Sequence, residues 1–438
     1  MSNTNLNEKS KTDFMVIGFA TFSMLFGAGN LIFPPYLGFI TGTAWLVGFT
    51  GYILADILLG ISGVMTCLNH DYEENGTIAV LGSVNKKIAL IIGLTLITCI
   101  GPAVVIPRTG ATTFEISILP LFPNFNPLLF SLIFFGITLA LTITKSKVID
   151  VIGKVLTPIL LISLAILIIK GIISPIGSMN TTTAETNKIF ADGISQGYQT
   201  MDALGAIALA SLVMGSIMAK GYTTKKEKLQ VLVKSNIVAA VFLILVYGGL
   251  CYIGATASIN LSGDLGQTEL LTTLTYLIMG KTGKVLLGII VFFACLTTSV
   301  GLTSVAATYY EEVSNKKISY KIFVIGICII STTISIVGVS KIIEIAGPLL
   351  DVIYPVAVTL IVLTLCSSKI ESNLVFDISA VFSTLMGIMN VLDVGVMKSL
   401  PLSNIGLNWI LPVGIVVIIS NIIFKKYNET INVNRKIS

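Results

Sequence analysis

Three stretches of this 438-residue chain carry residues that could hold an ion or a zwitterion. The first, FSMLFGAGNLIFPPYLG, sets Gly27, Ala28, Gly29 and Asn30 ahead of Pro34 and Pro35. Glycine tolerates non-helical backbone and proline has no N–H to donate, so a helix passing through here is expected to break. The second, ADGISQGYQTMDALGAIALASLVMGS, spaces Gly193, Gly197 and Gly205 around the acidic Asp202. A broken helix exposes N–H groups on one side of the gap and carbonyls on the other. The N–H groups attract an anion and the carbonyls a cation or an ammonium group, so a zwitterionic amino acid satisfies both. The third, VFFACLTTSVGLTSVAATYYEE, brings the hydroxyls of Thr297, Thr298, Ser299, Thr303 and Ser304 into an apolar run. A small hard cation such as Na⁺ takes oxygen ligands of this kind, although each hydroxyl could equally bond its own helix carbonyl four residues back.

Covalent chemistry finds no support in the residue types. His70 is the sole histidine and lies in a polar stretch beside Asp71, Glu73 and Glu74, which argues against a histidine-based metal site or a catalytic triad. Cys67, Cys99, Cys251, Cys295, Cys328 and Cys366 are scattered singly, without C-x-x-C spacing, and read as small apolar fillers. No nucleophile and base pair stands out, so an enzyme is not expected. The net charge of +5 is divided among short segments rather than gathered in a stripe, which excludes nucleic acid as a partner.

The elements that must position these residues follow from composition. Hydrophobic residues make up 54% of the chain and charged residues only 11%, with mean hydropathy +0.94. A soluble domain carries about 25% charged residues. At ~20 residues per membrane-spanning helix, the apolar content fills about twelve spans in one bundle, with no appended aqueous domain. The runs lie near 14–41, 44–68, 88–107, 127–144, 151–173 and 189–219, then 231–257, 283–310, 320–338, 342–366, 375–396 and 405–424. Residues 1–13 and 425–438 form polar tails, and the first apolar run is kept as a span because no short apolar core and cleavage site precede it. With both tails cytoplasmic, 20 of the 27 Lys and Arg residues fall on the inside, in accord with the positive-inside bias. The longer connections, 109–126, 174–188 and 258–282, then lie outside, the last with room for a short lid helix.

Both glycine clusters fall near mid-span, in spans 1 and 6. These positions correspond if residues 14–173 and 189–366 are two five-helix repeats, the second inverted by the odd count, with 375–424 adding two spans. A matched pair of broken helices points to a secondary transporter; the plainer alternative is two kinks in packed helices.

FGAGNLIFPP, GPAVVIPRTGATTFE at 101–115 and GYQTMDALGA at 197–206, in this order, resemble the bacterial branched-chain amino acid:cation symporters over essentially the whole chain. The resemblance implies an all-α, LeuT-type fold of twelve transmembrane helices, five plus five inverted with helices 1 and 6 discontinuous, in the bacterial cytoplasmic membrane. It also implies Na⁺-driven uptake of leucine, isoleucine and valine by alternating access, with H⁺ coupling or exchange as the alternative and a non-transporting sensor as a remoter one. No obligate protein partner is expected beyond the bilayer. GAGNLIFP and FFACLTTS are similar to the first-helix and eighth-helix motifs of sodium symporters. By that likeness Na⁺ takes the carbonyls of Ser23, Phe26 and Ala294 and the hydroxyls of Thr297 and Thr298. The substrate carboxylate then rests near the amides of Ala28, Gly29 and Asn30, and its ammonium meets carbonyls around Thr200, Met201 and Ala203. Val104, Val105 and Leu204 are candidates for the apolar pocket.

Where the sodium symporters often carry an arginine on helix 1, this chain has Ile32, so the usual outer gate does not transfer. Arg108, expected at the outer end of span 3, could replace it by pairing with Asp351, or could reach lipid headgroups. Asp56 could relay a proton or accept hydrogen bonds within the bundle. Asp202 is expected to cap the second half of span 6. Lys154 either substitutes for the cation, as a helix-5 lysine does in proton-coupled relatives, or sits at the interface.

Overall fold

The computed structural model describes residues 12–68, 78–144, 152–182, 184–261 and 265–437; His70 lies outside them. Among the described residues every regular element is helical. The first membrane run divides into α1 (Asp13–Leu25) and α2 (Ala28–Thr41), and the second into α3 (Trp45–Tyr52) and α4 (Leu59–Met65), joined by a π-helical turn. After these come α5 (Lys86–Thr98), α6 (Val105–Thr113), α7 (Pro127–Thr142) and α8 (Thr157–Ile173). The second half holds α9 (Thr186–Gln199), α10 (Asp202–Ala219), α11 (Lys225–Thr256), α12 (Gln267–Val313), α13 (Tyr320–Ser335) and α14 (Val339–Leu365). The chain closes with α15 (Asn373–Val391), the short α16 (Gly395–Ser399) and α17 (Ile410–Ile437).

Nine helical stretches among the described residues are long and apolar enough to cross a membrane, with α1, α7 and α13 as shorter apolar helices. These helices are apolar on both faces. On α8, Leu160, Leu164 and Leu167 are buried while Ile162, Ile166, Ile169 and Ile173 form an exposed stripe. Such a stripe is costly against water and free of that cost against lipid tails. Position in the bundle follows: the most apolar stretches of α12 and α10 are 72% and 67% buried, that of α17 only 11%.

Close approach is bought with glycine. A Cβ on Gly38 would run into the Cys251 carbonyl and one on Gly254 into that of Pro35, so α2 and α11 pack backbone to backbone. The α3–α9 seam is built alike, since a Cβ on Gly193 would strike the Gly48 carbonyl and one on Gly51 that of Phe190.

Two expectations about length change. The third run does not end near residue 107. It bends at Gly101 (φ −90°, ψ −123°) and continues through α6 and a π-helical turn to Ile118. Arg108, Thr109, Thr112 and Thr113 lower the local hydropathy, but all four are at most 2% exposed and face the bundle interior, so the polar stretch is an inward face and not a loop. The expected lid corresponds to the start of α12, helical from Gln267 up to a turn at Gly280 (φ 61°).

Candidate substrate and ion site

Both predicted breaks exist. Helix α1 ends at Phe26 (φ −82°, ψ 91°), Gly27 is extended, and α2 starts afresh at Ala28. Helix α9 ends at Thr200, and Met201 turns the chain with a left-handed backbone (φ 68°, ψ 15°) before α10 begins. A bulky residue in this region is strained by about 1–2 kcal/mol, a conformation kept only where its surroundings impose it.

Asn30 binds the two breaks together. Its Oδ1 accepts from the Gly27 N–H (3.0 Å), and its Nδ2 lies 2.7 Å from Asp202 Oδ2 and 2.6 Å from the Tyr247 hydroxyl on α11. Asn30 and Tyr247 are almost wholly buried. The Thr200 hydroxyl donates to Asp56 Oδ1 (2.6 Å), while Asp56 Oδ2 is buried without a hydrogen-bond partner among the described residues. Asp56 therefore is an acceptor within the bundle. Asp202 does not cap α10 as expected; it occupies the first helical position, where a carboxylate suits the positive end of the helix, and points at Asn30 instead.

The Thr297 hydroxyl lies 3.0 Å from the Ser23 carbonyl and 2.8 Å from that of Ala294, and the Thr298 hydroxyl donates to Ala294 at 3.1 Å. These hydroxyls do bond back along their own helix, and Thr297 also reaches across to α1. Thr298 Oγ1 would stand 3.0 Å from a Cβ on Gly27, next to Phe26, whose ring stacks on Tyr247. All the gathered atoms are uncharged hard oxygens, a set that fits Na⁺. Lys154, by contrast, is exposed.

A narrow cavity of about 20 Å³, room for about one water molecule, lies between the breaks. Ala28, Asn30, Val105, Thr200 and Met201 line it, as does Thr298. Gly29 adjoins it through Arg108, whose Nη2 would stand 2.8 Å from a Cβ there. Val104, Ala203 and Leu204 are buried outside its wall. The apolar wall comes instead from Met24, Ile100, Leu209 and Leu302. Helical spacing carries part of that signal: Asp202, Gly205 and Leu209 recur at i, i+3 and i+7, whereas Leu204 is on another face.

Arg108 also departs from expectation. It is 2% exposed, among neither headgroups nor outer-gate partners, and no ion pair joins it to Asp351. Its Nη1 and Nη2 approach the carbonyls of Gln199 and Thr200 at 3.4 Å each, beside the second break.

Comparison with known proteins supplies the family and a fold likeness. The sequence profile described as "Branched-chain amino acid transport protein" matches residues 10–427. The branched-chain amino acid permease BraB of Bacillus subtilis (strain 168) is 33% identical over 417 residues, covering 91% of this chain and 93% of that protein. A Staphylococcus aureus (strain bovine RF122 / ET3-1) protein, named as a branched-chain amino acid carrier, is 34% identical over 425 residues, covering 92% and 94%. Among solved structures, Mhp1, a nucleobase-cation-symport-1 family transporter in a closed conformation, superimposes with TM-score 0.61 at 12% identity, over 97% of this chain and 95% of its own. A Na⁺-coupled sialic acid symporter gives 0.58 at 12% identity, over 88% and 89%. Two broken helices at the centre of a transporter fold and relatives matched end to end lead to one assignment: this chain belongs to the branched-chain amino acid transport protein family, as a polytopic membrane transporter and not an enzyme.

Proposed function

We propose that the protein imports leucine, isoleucine and valine across the bacterial cytoplasmic membrane by Na⁺ symport, alternating access about the two broken helices. The observation that carries this reading is the direct bond between the breaks, Asn30 to Asp202, with the Thr297 hydroxyl bridging α12 to the Ser23 carbonyl of α1 beside them. Substrate and ion thus share the first broken helix, and each ligand stabilises the geometry the other needs. Linkage then requires each to tighten the other's binding by the same factor.

In this reading Na⁺ takes the carbonyls of Ser23, Phe26 and Ala294 and the hydroxyls of Thr297 and Thr298, which give up their bonds to Ala294. The substrate carboxylate faces the first-turn amides of α2 at Ala28, Gly29 and Asn30, groups that have no intrahelical acceptor. The ammonium group faces the second break around Thr200, Met201 and Ala203, close to Asp202. The aliphatic side chain lies against Val105, Ile100 and Leu209, and one methylene in such a pocket separates substrates by only about 1–3 kcal/mol, so all three amino acids are accepted. A one-water cavity cannot hold an amino acid, so the surrounding helices must part to load it.

The twelve-span, five-plus-five arrangement draws support from the glycine seams. If 14–173 and 189–366 are inverted repeats, span 1 exchanges with span 6 and span 2 with span 7. Chain order is kept in such a repeat, so the α1–α11 seam, where a Cβ on Gly18 would press on the Ser235 carbonyl, maps onto the α9–α3 seam, and the α2–α11 seam maps onto α10–α4, where Gly63 faces Ala206; all four are glycine-lined. Charge supports cation coupling. Arg108 carries one positive charge and Asp56 and Asp202 one negative charge each when ionised, so the buried centre is one positive charge short of neutral. A single Na⁺ with a zwitterion restores neutrality. A proton shared by the carboxylates does so too, and the unpartnered Asp56 Oδ2 is the observation that favours this second coupling.

Uptake of labelled leucine, isoleucine and valine into proteoliposomes separates them. An inward Na⁺ gradient, and not K⁺, is expected to drive accumulation, and Thr298→Ala to abolish it. Accumulation driven by a pH gradient without Na⁺ overturns the ion assignment and transfers the coupling role to Asp56 and Asp202.

A further inference from the structure

The guanidinium of Arg108 is a buried charge in the centre of the molecule whose donors are poorly used. It is 2% exposed, and an ion removed from water to this degree is retained at a cost of several kcal/mol unless its donors are used. Its five N–H donors find little: two contacts to the Gln199 and Thr200 carbonyls, both long at 3.4 Å, and Nε with no partner among the described residues. Charge-assisted bonds to a carboxylate run at about 2.7–2.9 Å and come in parallel pairs that match the guanidinium fork. The side chain lines the cavity, and Gly29 leaves room for it: a Cβ there would come within 2.8 Å of Nη2. On one side of the guanidinium stands the first turn of α2, with outward-facing N–H groups; on the other stands the carbonyl end of α9. Two positive surfaces, the α2 amides and the guanidinium, therefore border one cavity.

We propose that Arg108 is the carboxylate receptor of this transporter. The entering carboxylate takes the fork of the guanidinium, including the idle Nε, and displaces its long contacts to Gln199 and Thr200. Those carbonyls, released at the end of α9, are then free to accept the substrate ammonium. One movement of Arg108 thus prepares both ends of the zwitterion site and couples carboxylate recognition on α6 to the second break. The inference rests on the amino acid transport reading above and deepens it. It makes the free α-carboxylate, more than the aliphatic side chain, the feature that the site demands.

The test compares leucine with leucinol, which keeps the side chain and the ammonium group but replaces the carboxylate by a hydroxymethyl group. Affinities are measured by competition against labelled leucine on the purified full-length protein in Na⁺. The wild type is expected to prefer leucine by at least about 100-fold, and in Arg108→Gln leucine affinity should fall by at least about 30-fold with leucinol affinity changed less than about threefold. Arg108→Lys, a point charge without the fork, should fall between them. A preserved leucine-to-leucinol ratio in Arg108→Gln, in a protein that keeps its Na⁺-dependent shift in melting temperature, overturns the assignment, because a merely structural arginine would weaken both ligands together. Should Arg108→Gln fail to fold, the ratio in Arg108→Lys decides in the same way. A wild type that binds no branched-chain amino acid in any cation fells the transport reading and this one with it; leucine binding with an unmoved ratio fells this one alone.

Discussion

Asn30 uses every side-chain group it has. Its carbonyl oxygen holds the Gly27 amide in the first break, and its amide nitrogen serves Asp202 in the second break and Tyr247 on α11. Asn30→Ala strands a buried carboxylate and a buried hydroxyl together, so a loss of roughly 2–4 kcal/mol in thermal unfolding in detergent is expected. Tyr247→Phe removes one bond of the three without stranding a charge and should cost only about 1 kcal/mol. A smaller loss in Asn30→Ala than in Tyr247→Phe would show that the breaks are not tied through Asn30. Residue types alone single out Asn30 and Asp202, because a polar residue in an apolar run is rare and conspicuous. That the two touch is invisible in the chain, since 172 positions separate them.

At the scale of elements, two seams are closed by direct contact between backbones. Gly38 and Gly254 allow this at α2–α11, the seam against which the first broken helix must be fixed or slide. A side chain at either has no room, since what it meets is carbonyl backbone and not the flexible end of a neighbour. Gly38→Leu and Gly254→Leu are each expected to lower stability by about 3 kcal/mol or more, or to prevent assembly, as overpacking at an unyielding contact does. The control is Gly136→Leu on α7, where a Cβ meets nothing within 4 Å and little change is expected. Equal melting temperatures for Gly38→Leu and Gly136→Leu would refute the seam. The broken elements are legible from glycine and proline spacing, because those residues act locally on the backbone. The length of the third membrane run is not, because hydropathy cannot tell polar residues that face a bundle interior from polar residues in water. Arg108, Thr109 and Thr113 stand where hydropathy marks the end of a span, whereas the structure turns them to its buried, inward face.

The whole molecule is a helical bundle, and its charge distribution predicts an orientation with both termini inside. Arg108, which falls on the outside by its sequence position, lies buried at the centre, so the inside bias among the loop charges is stronger than 20 of 27. A cytoplasmic position for the segment after α14 can be tested on a native residue. Among the six thiols, Cys366 is exposed and the other five are buried. A membrane-impermeant maleimide should leave intact cells unlabelled and label inverted vesicles at Cys366, whereas Ser178→Cys, in the exposed segment after α8, should react from outside. Labelling of native Cys366 in intact cells would reverse the topology.

Composition, the placement of charges and the two glycine clusters by themselves determine a membrane bundle and where two of its helices break. These are properties of short stretches read by lipid and by the backbone, and both act on neighbours in sequence. Tertiary structure alone decides which face of each helix turns inward. A helix that is apolar all round, such as α10 or α12, carries little local preference for a facing, so Val105 rather than Val104, and Gly205 rather than Leu204, reaches the cavity only because the neighbouring helices dock as they do. The same docking carries Arg108 from an apparent helix end to the space between the breaks. There its charge is desolvated and its donors are left for a ligand to use.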